Sequence, residues 1–172
     1  VLREHIGYVP QKSSLFSGTI ETNLKYADEN ATEDEIRTAS KIAQAIDFIS
    51  EKPEGFKSEI SQGGSNVSGG QRQRLSIARA IVKKPEIYIF DDSFSALDFK
   101  TDSALRSALR PRIANSTFII ITQRISTAKN ADQIIVLDNG RVVGKGSHHE
   151  LMTDCNTYQE IANSQLSAEE LA

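Results

Sequence analysis

Short apolar runs alternate along the chain with stretches whose apolar residues recur every three or four positions. Ile6 to Val9 reads as a strand stopped by Pro10. A polar, mainly helical region follows from about Lys12 to Lys84. Within it Thr32-Glu33-Asp34-Glu35 is a capping box, and Ile36, Ala39, Ile42 and Ala43 follow at helical spacing. Pro53 and Gly55 break that pattern, and the glycine- and serine-rich stretch from Lys57 to Gly70 reads as a loop. Ser68-Gly69-Gly70-Gln71 is a second capping box, opening a helix with an apolar stripe at Leu75, Ala78 and Val82 and a stop at Pro85. Ile87 to Phe90 is a continuous apolar run, as expected of a strand covered on both faces. Thr101 to Leu109 is predicted helical, Thr117 to Thr122 a buried strand and Gln133 to Leu137 another strand. Asn139-Gly140 before Arg141-Val142-Val143 marks a tight hairpin. The tail from Ser147 to Ala172 reads as helical and polar. Strands alternating with helices predict an α/β fold with a mainly parallel sheet.

Composition changes this picture little. The 172 residues are 38% hydrophobic and 25% charged, the profile of a globular domain or most of one. A net charge of −3 argues against nucleic acid as the main partner. Cys155 stands alone, so it forms no internal disulfide and reads as a structural thiol. No run approaches the about 18 apolar residues of a membrane span, and no signal peptide opens the chain, so a cytoplasmic location is expected. The opening Val1-Leu2-Arg3-Glu4-His5 runs straight into a strand without an initiator Met, which predicts a piece of a longer protein.

The candidate chemistry lies at element ends. Asp91 and Asp92 follow the Ile87–Phe90 strand directly, where α/β sheets place ligand groups, and their hard oxygens suit Mg²⁺. Ser68-Gly69-Gly70 opens a helix, where exposed amides and the helix dipole favour an anion. Each feature alone also fits a plain cap or turn.

Taken in order, these runs resemble the ATP-binding cassette (ABC) ATPases over nearly the whole chain. Asn66-Val67-Ser68-Gly69-Gly70-Gln71-Arg72-Gln73-Arg74-Leu75 resembles the family's signature motif and helix. Gln11 resembles its Q-loop glutamine, Asp91 the Walker B aspartate, and Ser95-Ala96-Leu97-Asp98 the D-loop. Gln123 stands at the switch-histidine position. Leu15-Phe16-Ser17-Gly18-Thr19-Ile20 resembles exporters in particular. So does Gln62-Gly63-Gly64, where exporters usually carry Glu in place of Gln62.

The resemblance implies an α/β P-loop NTPase (RecA-like) core over residues 1–13 and 85–172, incomplete at the N-terminus. A helical subdomain over 14–84 is inserted into it. ATP and Mg²⁺ are the implied cofactors. Gln11, Ser68, Gly69, Gly70, Gln71, Ser95 and Asp98 are implied to bind nucleotide, Asp91 and Gln11 to serve the metal, and Asp92 and Gln123 to occupy the catalytic positions.

Three departures bear on activity. The phosphate-binding run Gly-x-x-x-x-Gly-Lys-[Ser/Thr] is missing from the 172 residues: Gly64 to Gly69 has the glycines but Gly70 stands where Lys belongs, and Gly140 to Lys145 is too closely spaced. In the family this loop lies upstream, and its strand lies between the Thr117–Thr122 and Gln133–Leu137 strands, so a gap or unpaired edges are expected there. Asp92 stands where active members usually carry Glu, and misplacing a catalytic group by about 1 Å costs about 100-fold in rate. Gln123 can donate a hydrogen bond but carries no charge.

The pattern resembles the degenerate half of a heterodimeric multidrug-type exporter at the cytoplasmic face of a bacterial membrane. Its expected partners are transmembrane domains and a second ABC ATPase domain, with no nucleic acid. The alternative is a non-catalytic regulatory or interaction module. Tyr8 and Phe94 are expected in the core, Phe99 as a packing residue, Arg72 and Arg74 solvated or paired with the partner domain, and His148 and His149 at a polar helix start.

Overall fold

A computed structural model describes residues 2–112 and 115–165, in two compact units, Val1–Ile121 and Thr122–Ala172. Single-turn 3₁₀ segments aside, the first unit runs β1 (Ile6–Val9), β2 (Gly18–Thr19), α1 (Ile20–Lys25), α2 (Glu33–Ile42), α3 (Ile46–Ser50), β3 (Glu59–Ile60), α4 (Gly69–Val82), β4 (Ile87–Asp91), α5 (Phe99–Leu109) and β5 (Thr117–Ile121). The second has α6 (Ile125–Ala128), β6 (Ile134–Asp138), β7 (Arg141–Gly146), α7 (His148–Asp154) and α8 (Asn156–Gln165).

The helices start where their caps dictate. Thr32 accepts from the Glu35 amide while Glu35 reaches back to the Thr32 amide, and Ser68 and Gln71 do the same for α4. Each box satisfies two helix-end donors that would otherwise lack partners. Leu75, Ala78 and Val82 of α4 are all buried, packed with α1 and α2 in one core that also takes in Val9, Phe90 and Leu105. Gly7 permits the contact of β1 with the end of α4: a Cβ there would stand 2.7 Å from Pro85 Cγ and 3.3 Å from the Ala80 carbonyl.

β1, β4 and β5 form a parallel sheet in that order, with Tyr8, Ile89 and Ile119 in register. One face carries Gly7, Val9, Tyr88 and Phe90, all buried, with Phe118 and Ile120 half-buried. The other is open among the described residues. There Tyr8 is 53%, Ile119 45% and Ile121 48% exposed. The expectations that β4 is covered on both faces, that β5 is buried and that Tyr8 is core are therefore corrected. The apolar runs are strands, but among the described residues the core lies on one side of them only. β5 pairs with β4 alone, and among the described residues nothing pairs with its second edge.

Other expectations also change. Within the predicted helical region β2 and β3 pair antiparallel, Gly18 with Ile60 and Thr19 with Glu59. α5 begins at Phe99, two residues before the predicted start, because Asp98 caps it through the Thr101 amide at 3.0 Å. Phe94 is buried as expected, whereas Phe99 is 89% exposed, because the first turn of α5 points it away from the core. Arg72 and Arg74 are tied within the chain. Arg72 Nη1 donates to the Gly63 carbonyl at 3.0 Å, Arg74 Nη1 to the Gln44 carbonyl at 2.7 Å, and the Arg74 guanidinium lies over the Phe48 ring.

In the second unit β6 and β7 form the predicted hairpin, with Asn139 (φ 47°) and Gly140 (φ 76°) in the left-handed conformation that a two-residue type I′ turn requires. Ile125, Val136, Leu151, Cys155, Tyr158 and Ala162 form its core, with the Cys155 thiol buried. The predicted tail helix is two helices, α7 and α8, divided at Cys155, whose backbone is extended (φ −123°, ψ 100°). His148 and His149 open α7, and His148 Nδ1 lies 2.7 Å from the Tyr158 hydroxyl. Residues 166–172 lie outside the described residues.

Candidate functional site

Two neighbouring parallel strands assemble the first cluster. β1 and β4 end side by side, Val9 in register with Phe90, so Gln11 and the Asp91–Asp92 pair emerge at the same sheet edge. Gln11 Nε2 donates to Asp92 Oδ2 at 3.4 Å, and the Tyr8 hydroxyl donates to Asp91 Oδ2 at 3.1 Å. That hydrogen bond is the main cause raising the Tyr8 phenol above its ordinary 10.0, with burial and the Asp91 charge adding to it, so the phenol stays a proton donor at neutral pH.

The backbone turns sharply at Asp92, which sits in the left-handed region at φ 44°. Asp tolerates this conformation better than most side chains. The Asp92 amide donates to the Ile121 carbonyl at 2.8 Å, and Ser95 Oγ donates to the Asp92 carbonyl at 2.8 Å. Ser93, 1% exposed, stitches the strand ends together: its Oγ donates to the Val9 carbonyl at 2.9 Å and lies 3.2 Å from the Asp91 carbonyl. Sequence reasoning missed Ser93 and assigned Tyr8 to the core. The only available signal for both was a hydroxyl beside, or in register near, an acidic strand end.

The second cluster joins the first turn of α4 to the segment Ser95–Asp98. Ser68 Oγ accepts from the Gln71 amide at 3.2 Å, and Gln71 Oε1 accepts from the Ser68 amide at 3.1 Å. Gly69 is open, while a Cβ on Gly70 would stand 3.5 Å from the Ala96 carbonyl, so these two segments lie against each other. Hydrogen bonds from the Thr101 hydroxyl and amide hold the Asp98 carboxyl below its ordinary 3.8. Arg74, on the next turn, contributes a positive charge that Asp98 feels, and burial pushes its guanidinium below the ordinary arginine range while the Asp98 charge opposes that shift. Gln123 belongs to the second unit, exposed, its carbonyl accepting from Gln165 Nε2 at 2.8 Å.

The first cluster suits a hard divalent cation. Asp91, Asp92 and Gln11 offer oxygen donors at one strand edge, the chemistry Mg²⁺ prefers. Among the described residues no group of three or more His, Cys, Asp or Glu could hold a metal, so an ion at this cluster would need ligands beyond these side chains. No helix among the described residues is long and apolar enough to cross a membrane.

Known proteins resemble this chain over most of its length. A family profile described as ABC transporter matches residues 1–95. An uncharacterized ABC transporter ATP-binding protein of Mycobacterium tuberculosis is 51% identical over 163 residues, covering 93% of this chain and 28% of that protein. The ATP-dependent lipid A-core flippase of Desulfotalea psychrophila is 43% identical over 164 residues, covering 95% of this chain and 29% of the flippase. The solved structure of a bacterial Atm1-family ABC exporter with ATP bound superposes with a TM-score of 0.91 at 39% identity, covering 97% of this chain and 29% of the exporter. The chain thus spans less than a third of the length of each of these proteins. With the profile on more than half its residues and the exporter matched along nearly all of it, the chain has the α/β P-loop NTPase fold and belongs to the ABC transporter family.

Proposed function

We propose that this chain is part of the ATPase domain of a bacterial ABC exporter, acting at the cytoplasmic face of the membrane and coupling ATP binding and hydrolysis to export. The observation that carries this reading is the meeting of Gln11 and Asp92 across adjacent strand ends, beside Asp91. Similarity to an ATP-dependent flippase and to an exporter solved with ATP supports it. The helical subdomain covers 14–84, and 1–13 with 85–172 belong to the RecA-like core. The phosphate-binding loop and the transmembrane domains come from outside the 172 residues.

Asp91 and Gln11 would hold Mg²⁺ beside a bound nucleotide, with Tyr8 orienting Asp91. When bound, the ion neutralises charge on the phosphate oxygens. Asp92 takes the position of the water-orienting Glu with a side chain one methylene shorter, and Gln123 replaces the switch His without its charge. Both changes weaken hydrolysis at the chain's own site. Ser68 to Gln71 present the α4 amides to ATP held by a second, non-identical ABC ATPase domain, with Ser95 and Asp98 at the same contact. The 89% exposure of Phe99, next to Asp98, supports a partner chain on this face.

The test is the double substitution Asp92→Glu with Gln123→His in the full-length heterodimer. A rise in ATPase activity per dimer is expected, and an unchanged rate removes the degenerate-site reading. For the 172 residues alone, lack of the phosphate-loop run favours the second reading, a module that turns nothing over. No ATPase activity and weak or no ATP binding are expected of the purified chain, and tight Mg-ATP binding by it contradicts this.

A further inference from the structure

In the second unit one carboxamide holds the backbone on both sides of Arg124. Gln165 Nε2 donates to the Gln123 carbonyl at 2.8 Å, and Gln165 Oε1 accepts from the Ile125 amide at 3.0 Å. Only one orientation of the carboxamide satisfies both partners, because the first is a carbonyl and the second an N–H. A carboxylate lacks the donor, and an ammonium lacks the acceptor. The segment is also tied locally, with the Arg124 amide donating to Thr122 Oγ1 at 3.0 Å.

The clamp comes from 40 and 42 positions further along the chain. Arg124, at the N-cap of α6, gives no side-chain cap, so the first amide of α6 finds its acceptor in Gln165. The periodicity of α8 aims Gln165 at this segment. Tyr158 and Ala162, both buried, stand on α8 four residues apart, and Gln165 follows three residues later on the same stripe. Ile125 packs in the core that Tyr158 and Ala162 share. Near the start of α8 the Tyr158 hydroxyl meets His148 Nδ1 at 2.7 Å, which ties that helix to α7. Gln123 and Gln165 are themselves exposed. Hydrogen bonds at exposed positions add little to stability, so this pair matters through the placement of the Gln123 backbone.

We infer that Gln165 is a positioning residue for Gln123: through one carboxamide, α8 fixes the backbone from which the Gln123 side chain reaches bound ATP. The inference rests on the reading that Gln123, at the switch position, meets the terminal phosphate. There its side chain donates a hydrogen bond but carries no charge. A neutral donor depends on distance and direction more than a charged one does, because the attraction of a full charge falls off slowly. A backbone shift of about 1 Å takes such a hydrogen bond out of range. Gln165 acts through Gln123 and not on the nucleotide.

The test uses the full-length transporter with its partner domain, photolabelled on this chain by 8-azido-ATP or 8-azido-ADP with Mg²⁺. Gln165→Met keeps the side-chain length and removes both hydrogen-bonding ends. Gln165→Glu keeps the acceptor for the Ile125 amide and removes the donor to the Gln123 carbonyl, so it carries the test even where Gln165→Met fails to fold. Expected in both is a rise of about tenfold in the half-saturating 8-azido-ATP concentration, with 8-azido-ADP within about twofold and the thermal unfolding midpoint unchanged. In a Gln123→Ala background the same Gln165 changes should add less than about twofold, since the group they position is gone. Half-saturation by 8-azido-ATP within about twofold of wild type in both variants overturns the inference. So does an equal loss for the ADP probe, or a further loss of about tenfold in the Gln123→Ala background, either of which marks a merely structural role. Gln123→Ala by itself separates the underlying reading: unchanged 8-azido-ATP labelling there removes the phosphate contact of Gln123, whatever the Gln165 variants do.

Discussion

The α4 start and the β4 end contribute comparably to the candidate chemistry, yet they are built differently. Ser68 to Gln71 are set by their own neighbours. Ser68 and Gln71 cap each other, Arg72 and Arg74 bind nearby carbonyls, and the helix behind them is buried along Leu75, Ala78 and Val82. Asp91 and Asp92 depend on groups about 80 positions away in the chain, Tyr8 and Gln11, and on the β5 carbonyl of Ile121. The first site tolerates substitutions nearby as long as the helix folds. The second can lose its geometry while the fold stays intact.

Changes to the packed helix sharpen this contrast most. Leu75 is fully buried, so Leu75→Ala should cost about 2–5 kcal/mol in a denaturant titration, whereas Phe99→Ala, at an exposed position, should stay within about 0.5 kcal/mol. Next comes the cap itself. Ser68→Ala should cost about 1 kcal/mol, since it removes the acceptor for the Gln71 amide.

Tyr8→Phe should invert the pattern. Stability should change by less than about 0.5 kcal/mol, while Mg²⁺-dependent nucleotide binding by the full-length protein should weaken by about tenfold, because Asp91 loses its orienting donor. Equal binding by the two proteins would show that Asp91 needs no such support.

The smallest effect is a pH dependence away from both clusters. Hydrogen bonding to Lys84, then to the Thr32 backbone and hydroxyl, holds the half-buried Glu35 carboxyl at about 2, below its ordinary 4.5. A lowered carboxylate contributes stability that is fully present above 4.5 and is lost as pH falls toward about 2. Glu35→Gln keeps the capping-box geometry and should flatten that acid limb. Comparing denaturation midpoints at neutral pH and in the acid range checks it.

Much of this was legible in the residues alone. Both capping boxes, the α4 stripe, the β4 strand with its acidic end and the Asn139–Gly140 hairpin are local patterns, and each forms where it was expected. The β2–β3 pair was not legible, because two residues in each strand carry no periodicity and their pairing spans about 40 positions. Nor were the contacts of Arg72 and Arg74, since a guanidinium on a helix reads as solvated until the carbonyls around it are known. Tyr8 read as core for a related reason: an apolar strand position has two possible faces, and only the packing shows which of them is covered.

The sequence by itself determined the family, the starts of α2 and α4, the β4 strand with its acidic end and the Asn139–Gly140 hairpin. These rest on spacing, capping and turn chemistry, which act over a few residues. Tertiary structure decided which faces are covered, which hydroxyls reach Asp91 and the Val9 carbonyl, and that Gln11 meets Asp92. Those outcomes depend on segments some 80 to 85 positions apart meeting at one place, and no local pattern encodes that meeting.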